Sequence, residues 1–307
     1  MSRWNVGDIP DQTGRTAVVT GANSGLGYVT ARELARKGAH VILACRDETR
    51  GNDAVGRLRD EVPHAHVEFG HLDLGNLRSV REFAAGFGPE RLDLLVNNAG
   101  VMAPPYGTTA DGFETQFGVN HLGHFALTGL LLPHLRAAPG ARVVTVSSMM
   151  HALADLDFAD LNSERGYRRW IAYGRSKTAN LLFTHELARQ AGTDGPIAVA
   201  AHPGYAATNL QTAGPRAEGR RAVERVVEIG NRVVAQSAEA GALPTLYAAT
   251  APDIRPGTFW GPSFLMWRGA PAPSWQAART RNNTTAHHLW HTSEQLTATK
   301  WTATKAT

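Results

Sequence analysis

Along this chain, short unbroken apolar runs alternate with stretches whose apolar positions return every three or four residues. "TAVVT" (16–20), "HVILAC" (40–45), "HVEFG" (66–70), "LDLLVN" (92–97), "RVVTVSS" (142–148) and "IAVAAHP" (197–203) are the runs. They are mostly β-branched and continuous, the pattern of strands buried on both faces. "GYVTARELARKG", "LRSVREFAAGF", "FGVNHLGHFALTGLLLPHL" and "RSKTANLLFTHELARQ" have helical periodicity and lie between or after them. Strand, helix, strand in this order predicts an α/β fold with a doubly wound parallel sheet of about seven strands and helices on both faces. No short repeat and no long linker divides the chain. One domain is expected over residues 14–298, after an N-terminal extension (1–13) and before a polar tail (299–307). Insertions are expected after about residue 148 and after about 203, the second covering a substrate over about 209–240.

The 307 residues, 43% of them hydrophobic, suffice for a large core. A formal charge of +4 with no Lys/Arg stripe among aromatics argues against nucleic acid as a partner. The single cysteine, Cys45, excludes an internal disulfide framework and fits a reducing compartment. The N-terminus lacks the apolar centre of a signal peptide, and no run reaches 18 apolar residues. A cytoplasmic protein with no integral membrane segment is expected.

Directly after the first strand comes "TGANSGLG", with Gly21, Gly25 and Gly27 among Asn23, Ser24 and Leu26. Glycines between a strand and a helix allow a tight turn and let backbone approach a pyrophosphate; the helix N-terminus then offers N–H donors to the anion. This makes a Rossmann-type dinucleotide site the reading of the N-terminal half. At the end of the second strand an acid would favour NAD(H), and an arginine would favour the 2′-phosphate of NADP(H). Here Cys45 stands at the acid's place and Arg46 follows, with Asp47 next. NADP(H) is favoured and NAD(H) remains open.

"YGRSK" (173–177) places a phenol and an ammonium four residues apart, on one face of a helix. An ammonium about 4 Å from a phenol, at an effective dielectric near 20, is worth about 4 kcal/mol, or about three pH units of phenol acidity. That would bring a tyrosine toward proton transfer near neutral pH. An amphipathic helix with an ordinary Tyr and Lys would look the same in isolation.

With the glycine loop, "NNAG" (97–100), "VSS" (146–148) and "YGRSK" in this order, the chain resembles the short-chain dehydrogenase/reductase family over roughly residues 14–300. "NHLGHFALT", "LLFTHELA" and "AAHPGYAATNL" look most like its branch of retinol dehydrogenases and protochlorophyllide reductases. The resemblance implies a catalytic tetrad of Asn120, Ser148, Tyr173 and Lys177. Tyr173 would exchange the proton and Ser148 would hold the substrate oxygen. Lys177 would hold the nicotinamide ribose and tune the phenol, and Asn120 would support a water relay. It implies cofactor contacts at Asp73 and Leu74, at Asn98, Ala99 and Gly100, and at Pro203, Gly204 and Thr208. Of the serine pair, Ser148 rather than Ser147 aligns with the catalytic position. A homodimer or homotetramer through the helices of Asn120 and Tyr173 is a further expectation.

His121 and His124, and the histidines of "HHLWH" (287–291), are read as packing or surface residues, with no metal expected. His151 is read as a loop residue or a substrate contact. The segment 220–236 has one apolar and one charged face, suiting a helix packed on its own domain or a lid. "TFWGPSFLMWRG" (258–269) is read as largely core, at the border of a bulky apolar substrate's pocket. The expected function is NADP(H)-dependent hydride transfer on the carbonyl/alcohol of a lipophilic molecule. The alternatives are reduction of a C=C bond on the same frame, or a dinucleotide-binding redox sensor without catalysis.

Overall fold

The computed structural model describes residues 4–193, 195–204 and 236–301. Its centre is one sheet of eight strands: β1 (Thr16–Thr20), β2 (His40–Cys45), β3 (Val67–His71), β4 (Leu94–Asn97), β5 (Arg142–Val146), β6 (Ile197–Ala201), β7 (Phe259–Phe264) and β8 (Arg268–Pro273). They lie in the order β3-β2-β1-β4-β5-β6-β7-β8. All pairs are parallel except the last, a β7–β8 hairpin. The strand order reverses between β1 and β4, so a crevice opens beyond their C-terminal ends.

The six sequence-read strands fall within two residues of their observed bounds, and the doubly wound sheet is as expected. One more strand than expected arises at the far edge. "TFWGPSFLMWRG" is this hairpin rather than mainly core. Phe259 is buried, yet Phe264 and Leu265 at the tip are 57% and 78% exposed. Gly261 and Pro262 break the run of bulky residues, which hides the strand from a periodicity reading.

The helices among the described residues are α1 (Gly25–Arg36), α2 (Glu48–Glu61), α3 (Leu77–Ala85), α4 (Thr115–Phe117), α5 (Gly123–Leu130), α6 (Leu132–Arg136), α7 (Arg169–Ala191), α8 (Ala238–Thr250) and α9 (Asn283–Thr297). The single long helix expected around residues 117–135 is broken twice. A wide π turn over Gly118–Leu122 holds Asn120, and Pro133 starts α6 after a kink at Leu131. π turns interrupt the i→i−4 ladder and recur at functional sites.

One apolar layer lies between α1, α2, α8 and the sheet, and a second between α3, α5, α7 and its other face. α9 and the residues after it cover the outer side of α5 and α7. Trp290 stands 5.1 Å, ring to ring, from Phe125 and 5.9 Å from Phe183, and Trp301 stands 4.4 Å from Trp290. Thr299 is buried as well. Thus Thr299 and Trp301, which the polar composition assigned to the tail, pack onto the domain. Among the described residues, no helix is long and apolar enough to cross a membrane. Thr208 and all of the amphipathic segment but Gln236 lie outside the described residues.

Candidate functional site

The glycine loop leaves β1 at Thr20. Gly21 sits at φ +65°, a region that favours glycine. A methyl group on Gly27 would stand 2.5 Å from both the Gly21 carbonyl and Asn98 Nδ2, so only glycine lets α1 come this close to β4. Ser24, at the N-cap of α1, makes no capping bond. By contrast Asp47, Asn76, Ser237 and Asn282 each cap their helix with a side-chain oxygen. The first N–H groups of α1 therefore remain free of a side-chain cap, at an electropositive helix end beside a cradle that no Cβ fills. Half-buried Asn23, Ser24, Gly25 and Leu26 line this turn. These features fit a dinucleotide pyrophosphate.

Arg46 is exposed just past β2. Asp47, the acid beside it, spends its carboxylate on the N–H of Arg50 at 2.9 Å. The Cys45 thiol is buried and pushed up to about 11 by that burial, so it is no nucleophile at neutral pH. Asp73 accepts the Gly75 N–H at 2.9 Å, and Leu74 is buried beside it. Asn98 donates Nδ2–H to the Thr20 carbonyl at 2.7 Å, while the N–H groups of Asn98 and Ala99 both donate to Thr20 Oγ1 at 2.9 Å. Pro203 follows β6, and the Gly204 N–H donates to His202 Nδ1 at 3.1 Å.

Thr20, which the sequence reading missed, and His124, which it read as packing or surface, join the loop to the π turn. Thr20 Oγ1 lies 2.9 Å from His124 Nε2, and His124 Nδ1 lies 3.1 Å from the Asn120 carbonyl. A carbonyl can only accept, so Nδ1 carries the proton and Nε2 accepts from Thr20. Burial drives the His124 pKa down to about 4, with the charge of Lys177 adding to the effect. The ring is therefore a neutral link. His121, pointing the other way, bonds Ser293 of α9 at 2.8 Å.

The four tetrad residues come from three places, the π turn (Asn120), the turn after β5 (Ser148) and α7 (Tyr173 and Lys177), and converge. Asn120 Oδ1 accepts the Val101 N–H at 2.8 Å; its Nδ2–H donates to the Val101 carbonyl at 3.0 Å and to Ser176 Oγ at 2.9 Å. Ser176, also missed by the sequence reading, passes the link to the Tyr173 carbonyl at 2.8 Å. Gly100 fits between Asn120 and Lys177: a methyl group there would stand 3.0 Å from Asn120 Oδ1 and 3.7 Å from Lys177 Nζ. Lys177 Nζ donates to the Val146 carbonyl at 3.0 Å and stands 5.6 Å from the centre of the Tyr173 ring. Ser148 lies close enough to the Tyr173 hydroxyl to favour its ionised form, whereas buried Ser147 turns away and donates to the Lys177 carbonyl at 2.9 Å. The two serines thus face different partners.

His151 has a definite task. Its Nδ1–H donates to the Ser148 carbonyl at 2.7 Å, and its Nε2 accepts the Ala277 N–H at 3.2 Å. It ties the serine turn to the loop after β8 rather than presenting a polar edge.

The electrostatics run against the sequence-based expectation for the phenol. Burial pushes Tyr173 up to about 12, with the Ser148 hydrogen bond acting in the opposite direction. Burial also pulls Lys177 down to about 8. Desolvation disfavours the charged form of both groups, and at a ring-to-Nζ distance of 5.6 Å it outweighs their attraction.

A doubly wound sheet, an uncapped glycine turn at its switch point and a Ser–Tyr–Lys cluster beside it define a nucleotide-dependent oxidoreductase. The family model for short chain dehydrogenases matches residues 15–219, and the chain belongs to that family, in its retinol dehydrogenase-like branch. It is an NAD(P)-dependent dehydrogenase/reductase acting on an alcohol/carbonyl couple. Human retinol dehydrogenase 12 is 42% identical over 290 residues, covering 94% of this chain and 88% of that one. Human retinol dehydrogenase 13 is 51% identical over 200 residues, covering 64% and 60%. A solved structure of an uncharacterized protein from Mycobacterium paratuberculosis is 46% identical with a TM-score of 0.81, covering 98% and 99%. The Pseudomonas aeruginosa RhlG/NADP active-site complex is 25% identical with a TM-score of 0.63, covering 81% and 94%.

Proposed function

We propose that the chain is an NADP(H)-dependent oxidoreductase for the carbonyl/alcohol group of a lipophilic molecule, with Tyr173 as general acid and base. The observation that carries this is the convergence of the Ser148 hydroxyl, the Tyr173 phenol and the Lys177 ammonium beside the glycine turn. Bound there, a nicotinamide dinucleotide supplies or takes the hydride. In the reducing direction Tyr173 gives its phenolic proton to the substrate oxygen as the carbon gains the hydride; oxidation reverses both transfers. Ser148 donates a hydrogen bond to the same oxygen and fixes its distance from the phenol. Lys177, with protons left after its bond to Val146, holds the nicotinamide ribose. Asn120, through Ser176 and Gly100, fixes the segment on which Tyr173 and Lys177 act.

Arg46 supports NADP(H), because its guanidinium is exposed and the neighbouring acid is occupied as a helix cap. Asp73, Leu74, Asn98, Ala99, Gly100, Pro203, Gly204 and Thr208 complete the proposed cofactor contacts. A lipophilic substrate is supported by exposed Trp170, whose ring stands 6.3 Å from that of Tyr173, and by exposed Leu153 on the adjoining turn. The names of the retinol dehydrogenases point to the same substrate class. The outer faces of α5 and α7 carry α9 of the same chain, so we place any contact between copies elsewhere. A reducing compartment such as the cytoplasm suits the lone, buried Cys45.

Tyr173→Phe tests the assignment against a panel of lipophilic aldehydes, ketones and enones. The variant should lose carbonyl reduction by at least a thousandfold while NADPH still binds. Near-normal turnover on carbonyls would overturn the role of Tyr173. Wild-type turnover on enones alone would replace the carbonyl reading with C=C reduction, and cofactor binding without any turnover would replace it with a sensor.

A further inference from the structure

A second cluster of titratable side chains lies on α9, on the outside of the molecule. His287 and His291 are four residues apart and share a helix face. Both are exposed. Their rings cross at 79° with centres 4.3 Å apart, and their Nε2 atoms stand 3.1 Å from one another. Exposed histidines normally turn to water; here two turn their Nε2 atoms to each other.

The next turn of the helix fixes the arrangement. Glu294 Oε2 lies 3.0 Å from His291 Nδ1. The other oxygen of Glu294 accepts the Trp301 N–H at 3.1 Å, so the carboxylate is held from two sides. A carboxylate accepts, so His291 carries its proton on Nδ1 and its Nε2 offers a lone pair. His287 Nε2 then donates to that lone pair. Carboxylate to histidine Nδ1, with Nε2 left free, is the arrangement that orients and strengthens imidazole ligands of metals.

We propose that His287 and His291 form a two-nitrogen chelate for a divalent transition metal ion of the borderline class, Cu²⁺, Ni²⁺ or Zn²⁺. With metal–nitrogen bonds of about 2.0–2.1 Å, the observed 3.1 Å separation subtends about 98° at the metal. That angle lies between the square-planar or octahedral value and the tetrahedral one, so the separation suits all three ions once the two rings turn their lone pairs to the ion. Binding requires that the His287 proton pass from Nε2 to Nδ1, which leaves a lone pair on each Nε2 for the ion. Among the described residues no third His, Cys, Asp or Glu completes a cage, so water fills the other positions. Affinity should follow the order Cu²⁺ above Ni²⁺ and Zn²⁺. The site lies outside the catalytic cluster, on a helix whose opposite face packs against α7 and bonds His121 through Ser293.

Calorimetric titration of the tag-free, EDTA-washed full chain with Ni²⁺ tests this. One ion should bind per chain. His287→Ala and His291→Ala should each weaken it at least tenfold, and Glu294→Gln should weaken it severalfold. His288→Ala is the control, because His288 stacks on Phe158 at 3.9 Å on another face, and it should change nothing. The Cu²⁺ complex should show electron paramagnetic resonance couplings to two equivalent imidazole nitrogens, lost in either alanine variant. Absence of binding at millimolar Ni²⁺, or an unchanged isotherm in the His287→Ala/His291→Ala double variant with wild-type circular dichroism, would overturn the proposal.

Discussion

Lys177 is held in a place that costs stability, and replacing it should show this. Its ammonium is buried, and burial lowers its pKa from 10.5 to about 8. At about 1.4 kcal/mol per pH unit, charging it in the folded protein costs about 3 kcal/mol more than in the unfolded chain. Lys177→Met keeps the stem's volume and removes this cost. The lost bond to the Val146 carbonyl leaves no orphan, because Asn180 Nδ2–H also donates there at 3.1 Å; this offsets about 1 kcal/mol. A net gain of about 2 kcal/mol follows. For 307 residues the unfolding entropy is about 0.6 kcal/mol/K, so Tm should rise by about 3 °C at pH 7. The sign with pH is fixed as well. Between pH 8 and 10.5 the unfolded chain binds more protons than the folded one, so wild-type stability from this group rises with pH. The advantage of the variant should therefore shrink between pH 8 and 10, while reductase activity is lost at every pH. Calorimetric scans without cofactor at pH 7 and 9.5 measure this. A lower Tm for Lys177→Met at pH 7 would refute the claim that desolvation dominates at this site.

Arg46→Ala should weaken NADPH by about ten- to a hundredfold and leave NADH nearly unchanged, since a charge-assisted bidentate contact contributes about 1.5–3 kcal/mol; equal losses in fluorescence titrations with both cofactors would contradict the 2′-phosphate role. Trp301→Ala should destabilise the fold by about 2 kcal/mol in urea unfolding, because it empties the half-buried side of the cluster with Trp290, Phe125 and Phe183; a change within error would mean that the end of the chain contributes nothing. His121, His124 and His202 are buried and neutral, with burial lowering their pKa values to about 3, 4 and 3. The unfolded chain binds these protons below about pH 6.5, so stability should fall steeply as pH drops from 6.5 to 4 with uptake of up to three protons; a flat stability profile over that range would exclude this.

Most of the parallel sheet was legible because β1, β2, β4, β5 and β6 are buried on both faces. No polar alternation blurred "TAVVT" or "HVILAC", and the glycine turn marked where the first strand stopped. α2 was not read at all. Its sequence, "ETRGNDAVGRLRDE", carries two glycines and buries only Gly51, Ala54, Val55 and Leu58. The interruption at Asn120 was equally hidden, since "FGVNHLGHFALTGLLLPHL" has good helical spacing throughout. What widens the turn is tertiary: Asn120 satisfies both backbone groups of Val101, a pairing between residues 19 apart. α9 reads poorly for a different reason. Its apolar side is just Ala286, Leu289 and Trp290 with polar Ser293 and Thr297, which become a packing face only against the aromatic side chains of α5 and α7.

The Tyr173–Lys177 pair shows where spacing stops being informative. Four residues place two side chains on one face, and Coulomb's law in a wet medium then predicts an acidic phenol. The medium itself is set by everything packed around the pair. Here α7 is buried along most of its length, so both groups are pushed toward their neutral forms. A phenol protonated at neutral pH is a loaded acid, suited to giving its proton to a carbonyl oxygen that is gaining negative charge. Giving the proton leaves a phenolate and taking one needs it, so this burial opposes the charged phenol in both directions alike. Ser148 acts on the phenol from one side and Lys177 lies 5.6 Å from its ring, so any added charge at the site is felt by the group we propose as the acid.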